Sequence, residues 1–203
     1  MTTRAVLVAR GLRLEYLTVL WNLLEALVAL VFGLLAGSIA LLGFGLDSVV
    51  EVASGAVLLW RLHADRKADQ REKVEQIALR LVGGSFLVLA AYVAFEASKT
   101  LLRHEAPERS VAGIALACAA LVVMPLLARA KRRVARGIGS GALHADSRQT
   151  DICAYLSAIL LAGLILNATF GWWWADPVAG LAMVPLIGKE GAEAIRGRNC
   201  CES

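Results

Sequence analysis

The sequence predicts an all-α membrane protein with six transmembrane helices, and its composition and length indicate this class. Of its 203 residues, 58% are hydrophobic and 19% are charged, and the mean hydropathy is +0.64. Soluble domains are about 45–50% apolar and about 25% charged. A helix needs about 20 apolar residues to cross a bilayer, so this length allows about six crossings with short loops. Helices are the expected element, because open sheet edges cannot be satisfied in lipid.

Hydropathy divides the chain into six apolar stretches. The expected spans are about 15–36, 38–62, 75–98, 110–128, 142–170 and 175–192. Residues 36–38, AGS, leave room only for a tight turn between the first two spans. The fifth stretch begins with the polar run ALHADSRQTDIC, which a helix must bury against protein or a water-filled cavity.

The six spans are expected to form one transmembrane domain over residues 1–199. A short cytoplasmic tail at 200–203 follows and begins with the neighbouring Cys200 and Cys201. The residues after the last span are too few to build a soluble core. No cleavable signal peptide is recognisable at the N-terminus.

The distribution of Lys and Arg predicts the orientation of the helices. Seventeen of the 21 basic residues fall on the side that holds both chain ends, and only Lys99, Arg103 and Arg109 fall on the other. By the positive-inside rule, both termini are cytoplasmic. The sequence pI near 9.1 follows from this topology and calls for no nucleic-acid partner. We expect a multi-pass protein of the plasma membrane, in contact with the lipid bilayer.

Asp47 and Glu51 are an unusual pair within an apolar stretch. Ionisable residues at membrane depth cost roughly 2.5–3.5 kcal/mol each and therefore mark functional sites. The two carboxylates lie one helical turn apart on one face. Two anions in a low dielectric repel, so one holds a proton unless a cation shares the site. The pair therefore favours exchange of protons for a cation, and the alternative is two protonated carboxyls that join helices.

Helix rise places two residues of the fifth span beside this pair. At about 1.5 Å per residue, Gln149 and Cys153 reach the depths of Glu51 and Asp47 in the antiparallel second span. Two helices can in this way present four donor atoms to one tetrahedral cation.

Four further ionisable residues are candidates for an access path or for proton coupling. Glu25 lies mid-span in WNLLEALVALVF. Its position is equally compatible with a role as a proton-carrying carboxylate and with a hydrogen bond to a neighbouring helix. His144 and Asp146 lie nearer the cytoplasmic mouth of the fifth span. Asp151 is turned about 200° away from Gln149 and is a weaker candidate for the site.

Three motifs resemble one family of transporters. GSIALLGFGLDSVVE, from Gly37, matches the pattern G-S-x-x-L-L-A-x-x-x-D-S-x-x-D, and SGALHADSRQTDIC, from Ser140, matches S-x-A-L-x-A-D followed by H-x-x-x-D. WADPVAGLAMVPL carries the acidic D-P of the sixth helix at Asp176 and Pro177. In these runs the chain resembles the transmembrane domain of the cation diffusion facilitator family. The resemblance implies six helices with both ends inside, and export of zinc and similar divalent metals.

The resemblance also implies a transport site, from which this chain departs. Residue by residue, the site falls on Asp47, Glu51, Gln149 and Cys153, where the family has Asp, Asp, His and Asp. Gln149 offers a neutral oxygen, and Cys153 offers a soft thiolate or, if it stays protonated, an inert thiol. A site that contains a thiolate can still bind Zn²⁺ or a softer divalent ion. We expect no C-terminal cytoplasmic domain of the family's kind, so a homodimer would be held by the membrane helices.

The sequence thus predicts a secondary transporter that exports a divalent, zinc-like cation from the cytoplasm in exchange for protons. No covalent chemistry is implied, so we expect no enzyme and no cofactor beyond the transported ion. Two alternatives stay open. One is a membrane interaction or regulatory protein that keeps the fold without transporting, and the other is a transporter of a non-metal cargo, with Glu25 as an extra proton carrier.

Overall fold

The computed structural model describes residues 3–63, 68–104, 107–139 and 141–196, and within these ranges every regular element is an α-helix. The helices are α1 (Thr3–Ala36), α2 (Ile39–His63), α3 (Ala68–Arg103), α4 (Val111–Ile138), α5 (Gly141–Phe170) and α6 (Ala175–Ile195). The predicted all-α class is confirmed. The predicted tail at 200–203, with Cys200 and Cys201, lies outside the described residues.

The six helices pack as a closed ring. Each helix contacts two neighbours, in the order α1, α2, α3, α6, α5, α4 and back to α1. In addition, α2 reaches across the ring to contact α5 and α6. Side chains on the inner face of α2 therefore meet both α1 and α5.

The outer surface of the bundle suits lipid. Within the described residues, four helical stretches are long and apolar enough to cross a membrane: Val6–Ala36, Ile39–Ala56, Val111–Ile138 and Asp146–Phe170. Large apolar side chains point outward and are between 64% and 71% exposed at Leu20, Leu27, Leu34, Leu35, Val88 and Phe95. In a bilayer such side chains contact acyl chains, so the protein is an integral, multi-pass membrane protein.

Several helices extend beyond the apolar stretches that predict them. Helix α1 begins at Thr3 instead of about 15, and α4 ends at Ile138 instead of about 128. Hydropathy falls where charged residues begin, so it marks the end of the apolar stretch. The backbone hydrogen bonds of the helix continue through the charged residues, so the helix itself is longer. The extension of α4 packs against protein, since Val134 and Ala135 form a small apolar cluster with Leu58 and Leu143.

The turn between α1 and α2 is as tight as the sequence predicts. Gly37 has φ +64°, in the left-handed region that favours glycine. The Ser38 N–H donates to the Gly33 carbonyl at 3.0 Å and closes the end of α1. The two helices consequently run antiparallel and in contact from this turn.

Asp176 joins the start of α6 to the start of α2. Its carboxylate accepts from the Ser38 hydroxyl at 2.5 Å and from the Ala40 N–H at 3.4 Å, and the residue is fully buried. Pro177 follows in the first turn of α6, where a missing N–H leaves no hydrogen bond unmade. This motif therefore fixes the position at which α2 enters the bundle.

Helices α3 and α6 approach most closely at two glycines. A Cβ atom built on Gly83 would lie 2.7 Å from the Gly191 carbonyl oxygen, and one built on Gly191 would lie 2.8 Å from the Gly83 oxygen. Small residues at a crossing let membrane helices pack backbone against backbone.

We expect Asp176→Ala to lower the free energy of unfolding by about 1.5–3 kcal/mol, because buried hydrogen bonds to a carboxylate are lost. The matched control is Asp151→Ala, which breaks a half-exposed ion pair with Arg132 and should cost less than about 1 kcal/mol. Unfolding of the purified protein in detergent measures both. Equal losses in the two variants would contradict the assigned role of Asp176.

Candidate metal site

Two acidic residues of α2 and one cysteine of α5 converge in the centre of the bundle. One carboxylate oxygen each of Asp47 and Glu51 and the sulfur of Cys153 all lie within 4.8 Å of one another. The three residues are 3%, 7% and 0% exposed, respectively. The structure thus brings together three of the four donors that the sequence predicts.

This spacing is close to what a bound ion requires. Zinc bonds of about 2.0–2.3 Å place the ligand atoms of a tetrahedral site about 3.3–3.8 Å apart. Side chains at 4.8 Å or less therefore need to close by only about 1 Å. Rotation of the two carboxylates is sufficient for such a movement.

Gln149, the fourth predicted donor, lies at the edge of this group. Its Oε1 accepts a hydrogen bond from the Ser54 hydroxyl at 3.4 Å, almost one turn beyond Glu51 on α2. Its Nε2 is buried and has no hydrogen-bond partner among the described residues. The amide is thus directed along α2, away from Asp47.

Helix α1 supplies two polar residues to the site, of which sequence reasoning missed Asn22. The Asn22 Nδ2 donates to Glu51 Oε2 at 2.8 Å. Glu25 Oε2 accepts from the Ser48 hydroxyl at 3.2 Å and lies 4.0 Å from the Cys153 sulfur. Asn22 and Glu25 are three residues apart in an apolar run and therefore lie on the same helix face. This shared face was the sequence signal that could have identified Asn22 as a residue of the site. Glu25 does hydrogen-bond a neighbouring helix, and its proton-carrying role stays a prediction.

A small cavity extends from Glu51 toward the start of α1. It is lined by Glu15, Thr18, Val19, Asn22, Glu51, Asp146, Gln149 and Thr150. The buried Lys131 of α4 lies at the far end, with its Nζ 2.9 Å from Glu15 Oε2 and 2.5 Å from Asp146 Oδ2. Asp146 thus lines the cavity, as an access path requires, and its charge is paired. No sequence signal marks Lys131, which belongs to the basic run AKRRVAR.

The structure does not bring His144 or Asp151 to the site. His144 is half-buried, and its carbonyl accepts from the Ser147 hydroxyl at 2.6 Å. Asp151 forms an ion pair with Arg132 of α4. Neither residue belongs to the lining of the cavity.

The carboxyl groups at the centre have no ionic partner. Among the described residues, no ion pair involves Glu25, Asp47 or Glu51. Carboxylates this close in a low dielectric repel one another, so they hold protons unless a cation shares the site. The arrangement therefore has the donor atoms and the spacing of a cation site, and ionised carboxylates would supply its charge.

Comparisons with known proteins point to one family. The sequence pattern of the cation efflux transmembrane domain matches residues 16–197. The chain is 31% identical over 157 residues to the uncharacterized transporter sll1263 of Synechocystis sp., covering 73% of this chain and 50% of that protein. It is 28% identical over 173 residues to the magnetosome protein MamB of Paramagnetospirillum magneticum, covering 81% and 57%. The chain therefore spans little more than half the length of these two relatives.

We expect Lys131→Met to lower the free energy of unfolding by about 3–5 kcal/mol, because it leaves Glu15 and Asp146 buried without a counter-charge. Arg132→Met, one position along, breaks only the half-exposed pair with Asp151 and should cost less than about 1 kcal/mol. Adding Glu15→Gln and Asp146→Asn to Lys131→Met should restore most of the loss. Thermal unfolding in detergent compares the variants, and similar losses for Lys131→Met and Arg132→Met would contradict the role of the buried group.

Proposed function

The chain belongs to the cation efflux transmembrane domain family, and on this premise we propose that it exports a divalent metal cation, Zn²⁺ or a similar ion, from the cytoplasm in exchange for protons. The observation that carries the proposal is the convergence of Asp47, Glu51 and Cys153 within 4.8 Å in the buried centre of the bundle. Carboxylate oxygen and thiolate sulfur are both established zinc ligands. Because a thiolate is a soft ligand, the site could also bind softer ions such as Cd²⁺.

The position of the cavity supports a path from one face of the membrane. The cavity extends from Glu51 toward the end of the bundle where α1 begins and α4 ends, as far as Glu15 and Asp146. That end carries Arg10, Arg13 and the basic run that closes α4. By the positive-inside rule it is the cytoplasmic end, so a cation would enter the site from the cytoplasm.

Alternating access gives the mechanism. A site at mid-membrane between packed helices opens to one face and then to the other as the helices tilt. Asp47 and Glu51 together carry two negative charges when ionised. Two protons from the carboxyls can therefore replace one divalent cation, and Cys153 releases a third proton when it binds the ion as a thiolate. Protonation on the outer face releases the ion, loss of those protons to the cytoplasm resets the site, and no covalent step is involved.

We expect proteoliposomes that contain the protein to accumulate Zn²⁺ faster when their lumen is acidic than when the pH is equal on both sides, because protons then leave as the cation enters. Asp47→Asn should reduce uptake to the level of empty liposomes. The matched control is Glu96→Gln, which removes a carboxylate that is paired with Lys99 on α3, away from the site. Metal-sensitive dye inside the liposomes measures the uptake.

Each contrary result has a separate meaning. Uptake that persists in Asp47→Asn would exclude the central site. Uptake that ignores the pH gradient would exclude proton exchange and leave cation transport. Flat traces for Zn²⁺, Cd²⁺, Mn²⁺, Co²⁺ and Fe²⁺ would favour the alternative of a membrane protein that keeps the fold without transporting.

A further inference from the structure

We propose that Glu25 of α1 is a direct ligand of the transported cation and that it, and not Gln149, supplies the fourth protein donor. The inference rests on the proposed function and deepens it. With Glu25 as a ligand, three helices contribute to the site: α1 and α2 supply carboxylates, and α5 supplies a sulfur. The cargo then meets four groups that can each release a proton, namely three carboxyl groups and one thiol.

Glu25 reaches the site at the level of Asp47 and Cys153. Its Oε2 lies 4.0 Å from the Cys153 sulfur, although Glu25 stands outside the group of Asp47, Glu51 and Cys153 donors that lie within 4.8 Å of one another and must move toward it to bind. The same oxygen accepts from the hydroxyl of Ser48, the residue that follows Asp47. The separation from Cys153 is close to the spacing of about 3.3–3.8 Å between ligands in a tetrahedral zinc site.

One oxygen of Glu25 is available for a ligand. Glu25 is fully buried, and its Oε1 has no hydrogen-bond partner among the described residues. Buried polar atoms are almost always hydrogen-bonded, and an unsatisfied one calls for an explanation such as a missing ion. A cation bound by Cys153 and by both oxygens of Glu25, with Oε2 using its remaining lone pair, would satisfy Oε1.

Gln149 is poorly placed for the same role. Its one acceptor atom, Oε1, is directed toward Ser54, which lies beyond Glu51 and away from Asp47. Its other polar atom, Nε2, can only donate hydrogen bonds and therefore cannot bind a cation.

Contacts between α1, α2 and α5 arrange these groups in two layers. In one layer, Glu25 meets Ser48 and Cys153 beside Asp47. In the other layer, which is nearer the start of α1, Asn22 holds Glu51 by a 2.8 Å hydrogen bond. Glu51 extends from this second layer to the donors of the first. Asn22 is consequently a positioning residue, because it orients a ligand and leaves the ion to the first layer.

Metal binding to the purified full chain in detergent tests the proposal, with Zn²⁺ and Cd²⁺ titrated separately by calorimetry. Glu25→Gln keeps the size of the side chain and an acceptor for Ser48, and it should weaken Zn²⁺ binding at least about tenfold. Glu25→Cys should shift the ratio of the two affinities toward Cd²⁺ at least about tenfold, because a second thiolate favours the softer ion. Glu96→Gln is the control for loss of a carboxylate elsewhere. Unfolding of each metal-free variant verifies that it is folded.

The change in metal preference separates a ligand from a residue that only packs or hydrogen-bonds. Unchanged Zn²⁺ affinity in Glu25→Gln, or an unchanged Cd²⁺ to Zn²⁺ ratio in Glu25→Cys, would overturn the inference. In that event the proposed function stands as long as Asp47→Asn still loses binding. A parent protein that binds neither ion would overturn both.

Discussion

Asn22 donates a 2.8 Å hydrogen bond to Glu51, and this contact joins α1 to α2 in the middle of an apolar bundle. A buried carboxylate needs such donors, because bulk water does not surround it. The contact requires α2 to lie at a defined height and rotation beside α1. The turn at Gly37 and the carboxylate of Asp176 fix the start of α2 and thereby supply that alignment.

The chain treats its buried acids in two ways. Glu15 and Asp146 are neutralised by Lys131, which α4 places between them. Glu25, Asp47 and Glu51, further along the same interior, have no such partner among the described residues. Without a cationic side chain beside them, these acids stay neutral only by holding protons or by sharing a cation. This choice between protons and a cation is the property that an exchangeable site requires.

Hydropathy and helix rise were sufficient to predict six helices without their exact ends, the turn at residues 36–38 and the shared depth of Asp47 and Cys153. They were insufficient for the direction of the Gln149 amide toward Ser54, because rise fixes depth and leaves the rotation of a side chain open. The sequence also did not predict the burial of Lys131, since the side chains of a basic run at a helix end are usually solvated. Asn22 was overlooked although Glu15, Thr18, Asn22 and Glu25 recur every three or four residues on one buried face of α1, because apolar residues outnumber them around the rest of the helix.

The close approach of α3 and α6 has a consequence for how this sequence can change. At most interfaces, a larger side chain on one helix can be accommodated by a smaller one opposite. At Gly83 and Gly191 the nearest atoms include, beside the side chains of Ile195 and Phe86, a backbone carbonyl oxygen, which every amino acid carries. A substitution on the opposite helix cannot remove that oxygen, so a larger residue at either glycine has no compensating partner. We therefore expect these two positions to stay glycine while other interface positions exchange large and small side chains.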